Sequence, residues 1–296
     1  MHLKSLTAFL AALTLCSTPL ALASCNDETA QLPLLPPAQV EPLPDEETSP
    51  SEPSQPSQPS QPSQPPQSSE PETPQKPEPA PEPVQTNAQY IHCTGNGVNI
   101  RSGAGTGYAV LGSAEKGTMY AITGKSGQWY KTYYRGKTAY LNASYATVFE
   151  LEKHENKKIE NVVEEGYKLL GIPYVYGAVR LHDGNGKLLS GFTAQKFDCS
   201  SLIQYIFYKG AGKLLQVTTR TQVKQGEYVS RSKIQRGDCL FFTNESRQHL
   251  TGVERVGHVA LYLGDGYILH TASDYARIEK ISAARWKFYI ETRRFL

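Results

Sequence analysis

From Asn26 to about Asn87 the chain is mostly Pro, Ser, Gln and Glu, and the run Ser54-Gln55-Pro56-Ser57-Gln58-Pro59-Ser60-Gln61-Pro62 repeats a three-residue unit. So few apolar side chains cannot offset the entropy of ordering the backbone, and the segment reads as a disordered spacer with polyproline II character. At roughly 3.1 Å per residue it would extend to on the order of 190 Å if stiff, and to less on average. This stretch constrains everything else. A length of 296 residues would by itself suggest two domains of about 150 residues each, but compact structure is confined here to the residues C-terminal to the spacer.

Ahead of the spacer, residues 1–24 have a basic start at Lys4, an apolar core from Leu6 to about Leu15 and small residues before Cys25. This is the pattern of a secretory signal peptide, too short and interrupted for a membrane span. Leu22-Ala23-Ser24-Cys25 resembles the bacterial lipobox, which implies lipidation of Cys25. The chain would then be exported and tethered in the cell envelope, at the outer membrane facing periplasm or surface. Cys16 leaves with the signal and Cys25 is consumed by lipid, so Cys93, Cys199 and Cys239 remain. Three thiols cannot pair fully, and none has zinc-ligand spacing. At least one free thiol is expected, with Cys199 the best candidate.

Charge divides at the same boundary. Residues 1–87 hold two lysines against eleven acids, so an overall formal charge of +2 leaves +11 on the remainder. An exported basic surface meets anionic wall polymers and lipid head groups before nucleic acid, so no nucleic-acid partner is expected.

Between Tyr90 and Val148 short apolar or aromatic runs alternate with glycine. Val98-Asn99-Ile100-Arg101-Ser102-Gly103 enters a Gly-rich loop, and further strands are expected at Tyr108–Leu111, Met119–Thr123, Trp129–Tyr133 and Lys137–Leu141. Regular short strands argue for a small all-β barrel. The opening motif, Gly127-Gln128-Trp129-Tyr130-Lys131 and the closing Gly136-Lys137-Thr138-Ala139-Tyr140-Leu141 resemble the bacterial SH3-like (SH3b) domain. That resemblance implies a module that binds cell wall or helps to build a neighbouring catalytic site. Exposed aromatics for either role would come from among Tyr108, Trp129, Tyr133 and Tyr134, most of which are expected to be barrel core.

Lys157 to Leu170 reads as an amphipathic helix, with Ile159, Val162, Val163, Tyr167 and Leu170 on one side and Gly171 as its stop. A second helix comes after Phe197-Asp198-Cys199-Ser200-Ser201, its apolar stripe made by Leu202, Ile203, Ile206 and Phe207 and its end set by Gly210. Cys199 falls in the first turn, where unpaired backbone N–H groups and the helix dipole favour a thiolate. A cysteine before a helix is also what a small buried residue looks like, so the rest of the chain has to decide. Asp198 is placed as the helix N-cap.

The pair that decides lies near the end. Gly257-His258-Val259-Ala260-Leu261-Tyr262-Leu263 and Tyr267-Ile268-Leu269-His270-Thr271 flank Gly264-Asp265-Gly266, which reads as a hairpin with a three-residue loop. If Leu263 pairs with Tyr267, Ala260 faces His270 and His258 is its diagonal neighbour on the same face, about 7–8 Å away between backbones. A slip of one residue would break this. A thiol needs a base within reach and a polar group to orient that base. Cys199, His258 and His270 supply the three roles. A metal site from the same residues, with His249 or His182 added, lacks a diagnostic fourth ligand.

In order, Pro173-Tyr174-Val175-Tyr176-Gly177, Phe197-Asp198-Cys199-Ser200-Ser201, Arg220-Thr221-Gln222, Arg236-Gly237-Asp238-Cys239-Leu240-Phe241-Phe242, the His258 strand and Ile268-Leu269-His270-Thr271-Ala272 resemble the blocks of NlpC-type cell-wall cysteine peptidases. The resemblance implies an α+β, papain-like catalytic domain, with the cysteine helix packed on an antiparallel sheet. It implies hydrolysis of the γ-D-glutamyl-diamino acid bond, usually to meso-diaminopimelate, in peptidoglycan stem peptides or muropeptides. Carried onto these positions, Cys199 is the nucleophile, His258 the base, His270 the third member and Tyr174 a helper at the oxyanion. Asp198 with Ser200 would receive the free amine of the stem's L-alanine, and Arg220 would also contact substrate. The expected division is signal peptide 1–24, lipidated Cys25 and spacer 25–87, SH3-like domain 88–150 and peptidase domain 151–296, acting as a monomer without metal or organic cofactor. Ala178 in place of a second glycine, and the polar excursions 180–196 and 244–255, depart from the family pattern. The same triad would also serve an amidase or acyltransferase, and without a working triad the chain would be a wall-binding protein.

Overall fold

The computed structural model describes residues 86–296, so the signal peptide, Cys25 and the Pro-rich spacer lie outside the described residues. Eight strands come first: β1 (Asn87–Cys93), β2 (Val98–Arg101), β3 (Val110–Ala114), β4 (Met119–Ala121), β5 (Gly124–Ser126), β6 (Trp129–Tyr134), β7 (Lys137–Asn142) and β8 (Ala146–Glu152). Alternation sets their faces. Val98 and Ile100 on β2, and Ala139 and Leu141 on β7, point into the core, while Asn99 and Lys137 point out. The strand expected from Tyr108 begins only at Val110. The chain before it curls over itself: Ser102 N–H donates to Ala109 O, Arg101 Nη1 donates to Tyr108 O, and the Tyr108 ring lies against Gly103, where a Cβ would come within 2.3 Å of it.

Strands β3-β2-β7-β6-β5 form one five-stranded sheet. The other three of this group join a second sheet with the C-terminal strands β9 (Glu227–Val229), β10 (Cys239–Phe242), β11 (His258–Gly264), β12 (Tyr267–Ala272), β13 (Tyr275–Lys280) and β14 (Tyr289–Arg294), in the order β8-β1-β4-β13-β12-β11-β10-β14-β9. The seam is the pairing of Met119 on β4 with Ile278 on β13. The SH3-like region is therefore continuous with the C-terminal sheet.

Four helices, α1 (Lys157–Lys168), α2 (Cys199–Ala211), α3 (Thr219–Gln222) and α4 (Ala283–Lys287), complete the described chain. Helix α1 buries the expected face of Ile159, Val162, Val163 and Tyr167. Its exit is clamped by the β6–β7 turn: the N–H groups of Arg135 and Gly136 donate to Leu170 O and Lys168 O, and Arg135 Nε donates to Gly171 O. Gly171 has φ +83°, and a Cβ there would stand 2.4 Å from the Tyr134 ring, so only glycine fits. Gly210 does not end α2. It lies inside the helix, where a Cβ would meet Val162 N at 2.5 Å, and its absent side chain lets α1 and α2 approach closely. The end is Gly212, in the left-handed region at φ +66° with its N–H on Phe207 O and Tyr208 O.

Arg236 ties the layers together and is almost fully buried. Its guanidinium donates to both carboxylate oxygens of Glu160 on α1 (2.6 and 3.0 Å), to the hydroxyls of Tyr90 on β1 and Tyr167 on α1 (2.9 Å each) and to Leu263 O on β11 (2.9 Å). The next turn residue but one, Asp238, takes a two-pronged pair from Arg294 at 2.8 Å. The Arg236-Gly237-Asp238 block is thus structural. Cys239 is buried, and Cys93, Cys199 and Cys239 all carry free thiols.

Candidate active site

Asp198 caps α2 as anticipated. Its Oδ1 accepts Ser201 N–H at 2.8 Å, and the Ser201 hydroxyl returns to the Asp198 N–H at 2.9 Å, a reciprocal capping box. Leu202, Ile203, Ile206 and Phe207 are buried on this helix, which packs on α1, β11 and β12. Cys199, its first residue, is held with its sulfur within reach of the backbone N–H groups of Val259 and Ser200. Packing alone therefore brings the start of α2 to the strand that begins with His258.

The hairpin β11–β12 has the expected register in its body, with Leu261 opposite Leu269 and Tyr262 opposite Ile268. Its loop differs. Gly264, not Leu263, faces Tyr267, so Leu263 is bulged and the loop is Asp265-Gly266, both at positive φ (+47° and +78°), as a tight two-residue hairpin requires. Arg236 accounts for the bulge by binding the Leu263 carbonyl. The histidines remain on one face, with His258 Nε2 2.9 Å from His270 Nδ1 and the rings nearly perpendicular at 81°.

A further group extends this pair. Glu279 Oε1 lies 3.3 Å from His270 Nε2 and accepts an ion pair from Arg285 at 2.8 Å. Burial opposes its charge, but His270, Arg285 and Arg277 hold the Glu279 carboxyl down at about 2. No local pattern around the His270 block marks Glu279. Extending the antiparallel register does so: His270 pairs with Arg277, which puts residue 279 two positions on, on the same face.

The thiol is not poised as the helix start suggested. Cys199 keeps part of its surface open, yet burial of the sulfur, reinforced by the Asp198 carboxylate, pushes its pKa up to about 12. The N–H groups of Val259 and Ser200 and the Arg180 charge pull the other way and lose. Burial, with the charges of His270 and Arg285, holds His258 well below the ordinary histidine value. At rest the Cys199 thiol and the His258 imidazole are therefore both neutral.

Residues 171–294 match the model of the NlpC/P60 family, and residues 96–147 match the bacterial SH3 domain. The chain carries an NlpC/P60 domain behind a bacterial SH3 domain. Its relatives include the Bacillus subtilis gamma-DL-glutamyl hydrolase, 29% identical over 184 residues (62% of this chain, 37% of the relative). Another is the Mycobacterium tuberculosis peptidoglycan endopeptidase RipB, 29% identical over 120 residues (40% and 46%). The chain spans less than half the length of these relatives. A crystal structure of an NlpC/P60 family protein from Bacillus cereus is 21% identical, with a TM-score of 0.38 over 71% of this chain and 64% of that one. NlpC/P60 proteins form a peptidoglycan hydrolase and endopeptidase family, and the domain here has the expected papain-like α+β layout: the helix bearing Cys199 against the antiparallel strands β11 and β12.

Within the NlpC/P60 domain the remaining expected residues are distributed unevenly. The backbone of the Tyr174 loop is bonded next to the start of α2: Val175 N–H donates to Phe197 O, Phe197 N–H to Pro173 O, and Tyr174 N–H to Asp274 O. Ser200 is buried and donates to Asp198 Oδ1 at 3.1 Å. Arg220 on α3 pairs with Glu254 at 3.6 Å. Its neighbour Gln222 is the buried member of that block and donates to Ser200 O at 2.9 Å, bracing the first turn of α2. Ala178 is buried without a positive φ, which is why glycine is not required there. His182 is buried against Tyr208 and His249 is exposed on the 244–255 loop; among the described residues no three His, Cys, Asp or Glu side chains converge to hold a metal.

Proposed function

We propose that the protein is an exported peptidoglycan hydrolase that cuts the γ-D-glutamyl-diamino acid bond of stem peptides, with meso-diaminopimelate as the diamino acid. The observation that carries this reading is the His258–His270 pair at 2.9 Å on the strand whose next residue, Val259, brings its N–H to the Cys199 sulfur at the start of α2. Lipidation at Cys25 would anchor the enzyme and the spacer would give it reach. The SH3 domain, being fused to the sheet and clamped on the exit of α1, would fix the Tyr174 loop.

The tautomers are set by the charges. Ionised Glu279 favours the proton of His270 on Nε2, which leaves His270 Nδ1 as an acceptor. His258 must then carry its proton on Nε2, and its Nδ1 lone pair is left for the thiol. His258 takes the Cys199 proton as sulfur attacks the γ-carbonyl, and the imidazolium formed is stabilised through His270 toward Glu279. The backbone N–H of Cys199, with Tyr174, would hold the developing oxyanion. Collapse of the adduct breaks the C–N bond as His258 returns its proton to the leaving amine. Water, deprotonated by the same base, then hydrolyses the thioester.

Mass spectrometry of purified muropeptides incubated with the full chain is expected to show products ending at D-glutamate. Intact γ-D-glutamyl-diaminopimelate bonds after exhaustive incubation would sink the reading. Because the resting thiol is neutral, alkylation of Cys199 by iodoacetamide is expected to keep rising from about pH 6 to about pH 10. A flat rate across neutral pH would instead signal a preformed thiolate.

Glu279→Gln is expected to lower kcat about 10- to 100-fold, part of the effect typical of a general base. Since the carboxylate favours protonated imidazole, its loss should move the acid limb of the pH profile to lower pH. A purely structural role would lower stability and leave that limb in place.

A further inference from the structure

Arg180 opens the polar excursion beyond the Tyr174 loop, and its guanidinium is fixed on several sides. Nη2 donates to Asp198 Oδ2 at 2.8 Å and lies 3.5 Å from Ser200 Oγ, Nη1 donates to Ala178 O at 2.9 Å, and Nε donates to Val217 O at 3.2 Å. The side chains of Arg180 and Asp198 are only 17% and 6% exposed. The other carboxylate oxygen, Oδ1, already accepts from Ser201 N–H at 2.8 Å and from the Ser200 hydroxyl at 3.1 Å. Both oxygens of the acid beside the nucleophile are thus occupied, and its charge has a resident counter-ion.

A carboxylate in that position would welcome an ammonium group only if its charge were unspent. Here an arriving ammonium would have to displace a guanidinium pinned by two backbone carbonyls, or stand beside a like charge, which disfavours its binding. An amide brings no charge, and its carbonyl can accept a guanidinium proton, of which Arg180 has five. We infer that Arg180 sets the substrate class: the subsite beside Cys199 takes stem peptides whose L-alanine nitrogen is acylated, as in wall still joined to glycan, and discriminates against the free ammonium. The inference rests on the cleavage proposed above and assigns to Arg180 the position that the resemblance gave to a substrate amine.

The test compares kcat/KM of the full chain on the stem tripeptide L-Ala-γ-D-Glu-meso-diaminopimelate and on the same peptide N-acetylated at L-alanine. The acetylated substrate is expected to be favoured by about tenfold or more. Arg180→Gln should erase or reverse that ratio by freeing the Asp198 charge, whereas Arg180→Lys, which keeps the positive charge, should retain it. Preference of the wild type for the free amine would overturn the inference while leaving the proposed bond intact. Failure to cut either peptide would remove the underlying reading instead. The wild-type ratio decides even if Arg180→Gln does not fold.

Discussion

Cys199→Ala is expected to abolish hydrolysis of muropeptides, lowering kcat by on the order of 10⁶-fold, the loss seen when a nucleophile that acts as a unit with its base is removed. The expectation rests on how little else can replace the thiol. His258 is neutral at rest and its Nε2 is engaged by His270, so without the sulfur it has only water to activate. The variant should fold as the wild type does. Cys199 is partly open to solvent and α2 keeps its capping box through Asp198 and Ser201, so the thermal midpoint is expected to move by no more than a few degrees. Full retention of the biological role by Cys199→Ala would favour a wall-binding protein over an enzyme, and residual cleavage above about 10⁻³ of wild type would point to another nucleophile.

The parts of this site written in local pattern are legible in the sequence. The stripe Leu202, Ile203, Ile206, Phe207 marks α2, Asp198 marks its cap, and the alternation through His258 and His270 fixes a register good enough to bring two rings together. Sequence and structure part wherever a distant residue enters. Gly210 looks like a helix stop because its real constraint, the Val162 backbone, lies on another helix. The hairpin loop differs from its simplest pattern because Arg236, far from the turn, binds the Leu263 carbonyl. A helix start that favours an ionised thiol is visible in sequence, whereas the burial that outweighs it is a property of the assembled protein. Arg180 has no local signature at all, being defined by the charge it faces across the fold, and Glu279 emerges only when the register of β12 and β13 is extended from His270.

Arg236→Ala is the substitution expected to cost most stability. Removing one partner of a buried, hydrogen-bonded charge network leaves the other uncompensated, at about 3–5 kcal/mol. For a folded region of this size that corresponds to a fall in Tm of about 6–20 °C. Three elements are released at once: β1 through Tyr90, α1 through Glu160 and Tyr167, and β11 through Leu263 O. Differential scanning calorimetry of the full chain measures the effect, and a fall of less than about 2 °C would show that water replaces the guanidinium without penalty. Pairing Arg236→Met with Glu160→Leu should recover part of the loss, since replacing both charges leaves none buried alone. The double variant separates stability from chemistry: because β11 carries His258 only five residues before Leu263, it is expected to regain Tm while kcat remains below wild type, the hairpin having lost the bond that holds its bulge.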